Sequence, residues 1–488
     1  MKKLLLIFLI SYLFPHTLLA NAQERKVTLF NEWLSDNGFE QYLDKTSDNT
    51  KFKLDRSICK DSALVKDFHI IKKCYGADGS IIPNSDLKFK KIYPNNLNIK
   101  FNKKKNNLSY KTNPNRDTLI YYFWNYSYRS KNTGSNPNLI KFYEANPTKQ
   151  PYEFKFNLIE DKFVKKQLKM KGILSYLYFQ EDHVLIDEIS PKERLGEFIK
   201  EDTKFISMSM NKSVTSYILG HAICEGYIDS VDSKINDWPI LQNSLYHNQK
   251  IINFLNMSTG DQKYINEYTH PHGTVIANSS YSFEDASIQR TIKQYFQDSV
   301  PSKKKYYYNG FLPQLILNYV HYKTGDDFKK LLNKIFNDKI KIKHSITIER
   351  SIEDHLTPEK QGVLHPMIRA TRYDYLRLAK AIMDDYQNDT CVGKYLKEIH
   401  KRRIFKNYGG DKVEPVFNRT NSYGGYFHMD YPGLKDRVIF GFGGYGGNAI
   451  LIDVENSRIV VLNSLHYNNT KYKYSHKKLL LNPIKNGR

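Results

Sequence analysis

Phe205-Ile206-Ser207-Met208-Ser209-Met210-Asn211-Lys212-Ser213-Val214 runs from an apolar, strand-like start into a helical pattern, and it sets a serine and a lysine three positions apart at the junction. Side chains at i and i+3 share one face of a helix, so Ser209 and Lys212 would stand side by side. A serine hydroxyl is a weak nucleophile until a neighbouring base takes its proton, and an amine kept neutral by burial can be that base. The two residues read as nucleophile and base. Spacing alone does not select them, because Ser57/Lys60, Ser302/Lys305 and Ser475/Lys478 repeat it.

Outward from this junction, residues 173–179 and 184–189 are apolar and β-prone, and Gln180-Glu181-Asp182-His183 between them reads as a hairpin turn. After the junction, 210–226 is helical, with Val214, Ile218 and Ala222 at four-residue steps and Gly226 as the stop. Helix-compatible periodicity recurs at 251–257, 312–322, 328–336 and 371–385, so the middle is expected to be mostly helical. Strands return at 437–442, 448–454 and 459–464, the last two joined by the turn-like Glu455-Asn456-Ser457. Strands first, helices next and strands last imply one sheet split in sequence by a helical insertion.

Upstream the chain has a different character. Met1-Lys2-Lys3 and the apolar run 4–19, closed by Ala20-Asn21-Ala22, have the pattern of a cleaved export signal. The alternative is an uncleaved anchor, for which the run is short and is interrupted by Pro15 and His16. We expect a signal at 1–22, an accessory region at 23–165 and a catalytic domain at 166–475. The accessory region is rich in Asn, Lys and Tyr, with an amphipathic helix expected at 31–43, a polar stretch at 80–116, a strand at 119–126 and a boundary turn at 147–151. No stable membrane span is expected once the signal is removed, and the protein would be periplasmic or secreted.

At 488 residues and a formal charge of +23 the chain is large and basic. Its lysines are spread along the whole length, and the run Lys103-Lys104-Lys105 lacks a flanking aromatic platform for single strands, so no nucleic-acid partner is expected. Cys59 and Cys74 are close enough to suggest one local bridge, while Cys224 and Cys391 leave connectivity open. Without a CxxC pair, or a carboxylate or cysteine cluster beside His270-Pro271-His272, no metal and no cofactor are expected.

Several phrases around the Ser-x-x-Lys of Ser209–Lys212 together carry a resemblance. Phe254-Leu255-Asn256-Met257-Ser258-Thr259-Gly260 follows about forty residues later, and Ala370-Thr371-Arg372-Tyr373-Asp374-Tyr375-Leu376-Arg377-Leu378 lies farther on. With the order of elements, these resemble the serine β-lactamase and penicillin-binding-protein superfamily over about residues 170–470, in particular its esterase and amidase branch, which includes the 6-aminohexanoate-dimer hydrolases. The implied fold is α/β (α+β): a β-lactamase-like antiparallel sheet flanked by helices, with an inserted helical subdomain and here an N-terminal extension. None of the competing serine–lysine pairs has this setting.

The resemblance implies two further elements. A tyrosine followed two residues later by Asn or Ser shuttles protons beside the nucleophile, and Tyr306-Tyr307-Tyr308-Asn309-Gly310 offers two registers. Tyr307 keeps the Asn two places on. Tyr308 fits the offsets to Gln314-Leu315-Ile316 and Thr324-Gly325 better and is preferred, with Asn309 beside the substrate. The third motif, usually a cation followed by small residues, matches Tyr445-Gly446-Gly447, which would line the substrate, with the backbone amides of Ser209 and Asn448 as oxyanion hole. Tyr445 cannot supply a cation for a substrate carboxylate. A small neutral ester or amide is therefore expected over a β-lactam or D-alanyl peptide. The alternatives are a peptidoglycan D,D-peptidase or β-lactamase, or an inactive binding protein of the same fold; oligomeric state is not legible.

Overall fold

The computed structural model describes residues 140–262, 264, 288–289, 292, 296–351, 364–406, 420–465 and 474–488, and the backbone of 58–66, 69–75 and 81–82. The expected signal at 1–22, the helix at 31–43, the lysines at 103–105, the strand at 119–126 and the histidines at 270 and 272 lie outside the described residues.

Strands β1 (Ile140–Ala145) and β2 (Lys155–Phe156) and helix α1 (Lys162–Met170) lead into the hairpin of β3 (Ile173–Gln180) and β4 (His183–Ile189). Its turn residues Glu181 and Asp182 take φ of 47° and 71°, the left-handed pair that lets a two-residue turn follow the strand twist. Strand β5 (Lys204–Ile206) then runs through the Ser209 turn into α2 (Asn211–Cys224), which stops before Gly226 at φ 80°. Next come α3 (Ile251–Leu255), α4 (Phe311–Thr324), β6 (Ile346–Ser351), β7 (Leu364–Thr371), α5 (Arg372–Gln387) and α6 (Cys391–Lys401). The chain closes with β8 (Ile404–Phe405), β9 (Ser422–Gly424), β10 (Phe427–Met429), β11 (Ile439–Gly444), β12 (Asn448–Asp453), β13 (Arg458–Ser464) and α7 (Asn482–Asn486).

Among the described residues the main sheet has nine strands in the order β8-β9-β10-β11-β12-β13-β3-β4-β2. Only β2 and β4 pair in parallel. Because β13 lies antiparallel to β3, with Val461 opposite Leu177, strands far apart in sequence are neighbours. Alternate side chains of a strand point to opposite faces, and both faces here are covered. Ile459 and Val461 join the larger core cluster with Val214 of α2, Leu315 of α4 and Leu376 of α5. Val460 and Leu462 face Leu168 of α1 and Ile484 of α7. The central strands are consequently apolar without interruption rather than alternating.

Two expectations are corrected. The middle carries the expected helices at Ile251–Leu255, Phe311–Thr324, Phe328–Asn333 and Arg372–Gln387, but the sheet is not single: β6 and β7 lie among those helices and join β1 and β5 in a second, antiparallel sheet ordered β1-β6-β7-β5. Ile346 and Ile348 are buried at a two-residue period, a signal too short to stand out among the surrounding helical patterns. The boundary drawn at 165 also moves, since it cuts α1, and β1 and β2 are hydrogen-bonded into the two sheets. At the other end the packed unit continues past 475, where the Arg437 and Arg458 guanidiniums donate to the Ile484 carbonyl at 3.0 and 2.9 Å. The phrase around Asp374 is a brace: Thr371 caps α5, and the buried Asp374 carboxylate accepts the backbone amides of Lys343 and His344 at 2.8 and 3.1 Å.

Cys59 and Cys74 are partners in the backbone register of strands 58–66 and 69–75. Cys224 and Cys391 form a disulfide that ties the end of α2 to the start of α6, across 167 positions of sequence. Closing a loop of that length removes about 5 kcal/mol of unfolded-chain entropy in the simplest account. Replacing both residues, Cys224→Ala with Cys391→Ala, should lower unfolding stability by about 2–5 kcal/mol in denaturant titrations.

Asp261, just after α3, is a second brace. It is buried and accepts hydrogen bonds from Tyr246 Oη and Asn309 Nδ2, each at 3.0 Å. Burial outweighs these bonds and pushes its carboxyl up from 3.8 to about 6. A raised carboxyl favours the folded state when protonated, so stability is highest below the unfolded value and declines as pH climbs through the folded one. At about 1.4 kcal/mol per unit, the whole loss, spread from about pH 3 to about pH 7, is about 3 kcal/mol. Asp261→Asn should remove that component, gaining on the wild type as pH rises from 4 to 8; parallel stability–pH curves would show that Asp261 does not titrate in this way.

Candidate active site

The Ser209 turn is held from behind by backbone. Strand β5 pairs with β7, the Ser207 amide donates to the Ile368 carbonyl at 2.8 Å, and Ser207 Oγ accepts the Ile368 amide at 3.1 Å. Tyr375 Oη donates to the Phe205 carbonyl at 2.9 Å. Between strand and helix, Met208 takes φ 48°, a conformation that non-glycine residues adopt only when their surroundings enforce it. This sharp reversal carries Ser209 to a half-exposed position at the entrance to α2.

Helix α2 is buried almost all round, and Lys212 in its first turn is only 7 % exposed. Lys212 Nζ lies 3.0 Å from Ser209 Oγ and donates a hydrogen bond to it. The other described pair members have different work. Ser302 Oγ donates to the Gly260 carbonyl, and Ser475 Oγ accepts the Lys478 amide at the head of the C-terminal helical segment.

Of the three consecutive tyrosines, Tyr308 is the one whose ring faces Lys212, with Nζ 4.9 Å from its centroid. That is cation–π range. Tyr307 is placed by its backbone, its amide donating to the Met257 carbonyl at 2.8 Å. The Leu255–Gly260 phrase is thus the platform of the tyrosine turn. Met257 Sδ accepts the Asn309 amide at 3.2 Å, and Gly260, at φ 82°, lies so close to Ser302 that a Cβ would sit 2.5 Å from its carbonyl oxygen.

Asn309 is corrected as a substrate-binding residue. It is fully buried; its Oδ1 accepts the Phe311 and Leu312 amides at 3.1 and 2.9 Å, and its Nδ2 donates to Asp261. An asparagine oxygen that satisfies the first free amides of a helix is a cap. Asn309 starts α4 and fixes the direction from which Tyr308 arrives.

The glycine-rich turn meets the serine turn face to face. A Cβ on Gly444 would lie 2.8 Å from the Ser207 carbonyl oxygen and 3.2 Å from Met210 Cγ, so only glycine lets β11 approach the Ser209 turn this closely. Gly446 and Gly447 take φ of 90° and 92°, and the Gly447 amide closes the turn on the Gly444 carbonyl at 3.1 Å. Tyr445, Gly446 and Gly447 are half-exposed at this rim. Asn448 is buried opposite Gly444 in the β11–β12 register; its Nδ2 donates to the Tyr445 carbonyl and its Oδ1 accepts the Ser464 amide, at 2.9 and 3.0 Å. Its side chain locks the shape of the turn.

Sequence reasoning missed a group behind Tyr308. His428 of β10 stacks beside the Tyr308 ring at 6.3 Å and meets Tyr423 edge-on at 5.1 Å. Lys406, buried at 3 % exposure just after β8, donates to His428 Nδ1 at 2.8 Å and to Thr420 Oγ1. No local spacing marks these residues, because pairing between the short strands β8, β9 and β10 brings them together. Among the described residues no three of His, Cys, Asp and Glu are grouped to hold a metal ion.

No protein-family model matches this chain, and no curated protein matches it by sequence. Solved structures do. A Bacillus anthracis protein named as a candidate 6-aminohexanoate-dimer hydrolase aligns with a TM-score of 0.50 at 13 % identity, over 75 % of this chain and 94 % of that one. A candidate β-lactamase from Bacteroides dorei DSM 17855 aligns at 0.47 and 15 % identity, over 66 % and 95 %. A penicillin-binding-protein homologue from Caulobacter crescentus aligns at 0.44 and 13 % identity, over 64 % and 93 %. At such identities the likeness is one of architecture: the sheet covered by helices on both faces, with Ser209 between β5 and α2, shares the fold of the Bacillus anthracis protein.

Proposed function

We propose that this protein is an exported serine hydrolase that cleaves an ester or amide through an acyl-enzyme on Ser209. The observation that carries the reading is the 3.0 Å contact between Lys212 Nζ and Ser209 Oγ, with the Tyr308 ring against the same nitrogen. In the reaction a neutral Lys212 takes the Ser209 proton as Oγ attacks the substrate carbonyl. The resulting oxyanion would rest on the Ser209 amide and an amide of the glycine-rich turn, Asn448 in the reading from sequence. Collapse expels the alcohol or amine, protonated by Tyr308 or Lys212; water, deprotonated by the same pair, then releases the acid and restores Ser209.

The neutral rim at Tyr445 favours an uncharged ester or linear amide over a substrate that must be held by its carboxylate. The Bacillus anthracis protein of similar fold is named for an amide dimer, which is in keeping with this class. Export rests on the apolar, positively started segment at 1–22.

A fluorophosphonate probe should label the wild type and leave a folded Ser209→Ala protein unlabelled; labelling of both, or of neither, would overturn the nucleophile assignment. Short-chain p-nitrophenyl esters and linear amides, assayed beside a chromogenic cephalosporin, should be turned over faster, and dominant cephalosporin hydrolysis would overturn the substrate preference. Lys212→Ala and Tyr308→Phe should each lower kcat/KM by about 10²- to 10⁴-fold, while Tyr307→Phe stays near wild type. An equal loss in Tyr307→Phe would reverse the tyrosine assignment.

A further inference from the structure

The group behind Tyr308 has no part in the hydrolytic steps above, yet it places a buried cation one ring away from them. Lys406 is delivered by the β8–β9 pairing: its amide donates to the Asn421 carbonyl at 2.8 Å, and its side chain passes between aromatic rings. Nζ lies 5.9 Å from the Tyr306 centroid and 5.5 Å from that of Tyr423. These two tyrosines pack at 5.2 Å, and Tyr423 meets Tyr308 edge-on at 6.0 Å. Lys212 and Lys406 thus reach one layer of rings built from Tyr306, Tyr308, Tyr423 and His428.

The hydrogen bonds determine the state of the imidazole. An ammonium has donors only, so with Lys406 Nζ at 2.8 Å, His428 Nδ1 must be the acceptor and the ring proton must sit on Nε2. Burial first, then the charges of Lys406 and Lys212, hold the His428 imidazolium form far below its usual range. His428 is consequently neutral, and the cation that bears on Lys212 from behind this layer is Lys406.

We propose that Lys406 is a positioning residue for the Ser209–Lys212–Tyr308 chemistry, acting through His428. It fixes the tautomer and ring plane against which Tyr308 stacks, and its charge disfavours a second ammonium at Lys212 while favouring a phenolate at Tyr308. It brings from β8 a cation that Tyr445 cannot supply on the glycine-rich turn. This inference rests on the serine-hydrolase reading. The groups facing the layer are Lys212 and Ser209 from the nucleophile turn and α2, Tyr306 and Tyr308 ahead of α4, Lys406 and Thr420 beside β8 and β9, Tyr423 of β9, and Asp261 through Asn309.

The test is the rate of Ser209 labelling by a fluorophosphonate as a function of pH in the full-length wild type, Lys406→Met and Lys406→Arg, with thermal unfolding of each. Lys406→Met should label about tenfold more slowly at pH 7, with the midpoint of its profile about one unit higher, and Lys406→Arg should restore the midpoint. In ¹⁵N-histidine spectra at pH 7, wild-type His428 should be neutral and protonated on Nε2. A labelled wild type whose midpoint does not move in Lys406→Met, or whose His428 carries its proton on Nδ1, overturns this inference alone. An unlabelled wild type overturns the hydrolase reading and this inference with it. If Lys406→Met does not fold, the Lys406→Arg profile and the wild-type tautomer decide.

Discussion

A lysine amine held inside the core beside a half-exposed serine is the constraint around which this molecule is arranged. An ammonium removed from water is expensive unless hydrogen-bonded and surrounded by polarisable partners. Lys212 has both, in Ser209 Oγ and the Tyr308 ring. Keeping it there requires a helix packed on every side, which explains why α2 has no polar face: it crosses beneath α4 and α6 and under the ends of β7 and β11. The serine, by contrast, must stay reachable. The positive φ at Met208 reconciles these demands, turning the chain so that one residue opens outward while the next turn of helix is buried.

The walls of the site are set by close approach. Gly444 brings β11 against the Ser207 carbonyl, and Gly260 brings the platform of the tyrosine turn against Ser302. In both places a side chain would force backbone apart. Asn309 and Asn448 then act as internal staples, one capping α4 and the other joining Tyr445 to Ser464. Both are fully buried, and Asn448 meets the half-exposed rim only from beneath, through the Tyr445 carbonyl.

What was legible in the sequence follows the range of the interactions. Ser209 and Lys212 lie one helical turn apart, and the β3–β4 hairpin is closed by a two-residue turn, so local spacing was enough. The long-range closure of β13 on β3 could be expected from element order, because apolar strands bracket the chain's helices. The second sheet could not, since β5 has only three residues and both β1 and β5 pair with strands far away in sequence. Asn309 was misread because one residue type serves two purposes: an asparagine just ahead of a helix is a cap as readily as a ligand, and the following Phe311-Leu312 start was the signal that favoured the cap. Lys406 and His428 carry no local pattern at all, and only the pairing of three short strands makes them neighbours.

That contrast bears on how charge is distributed around the serine. A cation on the rim would meet the substrate directly and select for a carboxylate. Lys406, at 3 % exposure and bonded to His428 and Thr420, sits behind a layer of rings instead. A charge so placed acts through the low-dielectric interior, where its field on neighbouring groups is screened far less than at the surface. It can bias the protonation of Lys212 and Tyr308 without presenting a counter-ion to the substrate. On the proposed reading, tuning of the Ser209–Lys212 pair and choice of substrate are separable: the first would belong to the β8–β10 edge and its buried lysine, the second to the neutral rim of Tyr445, Gly446 and Gly447.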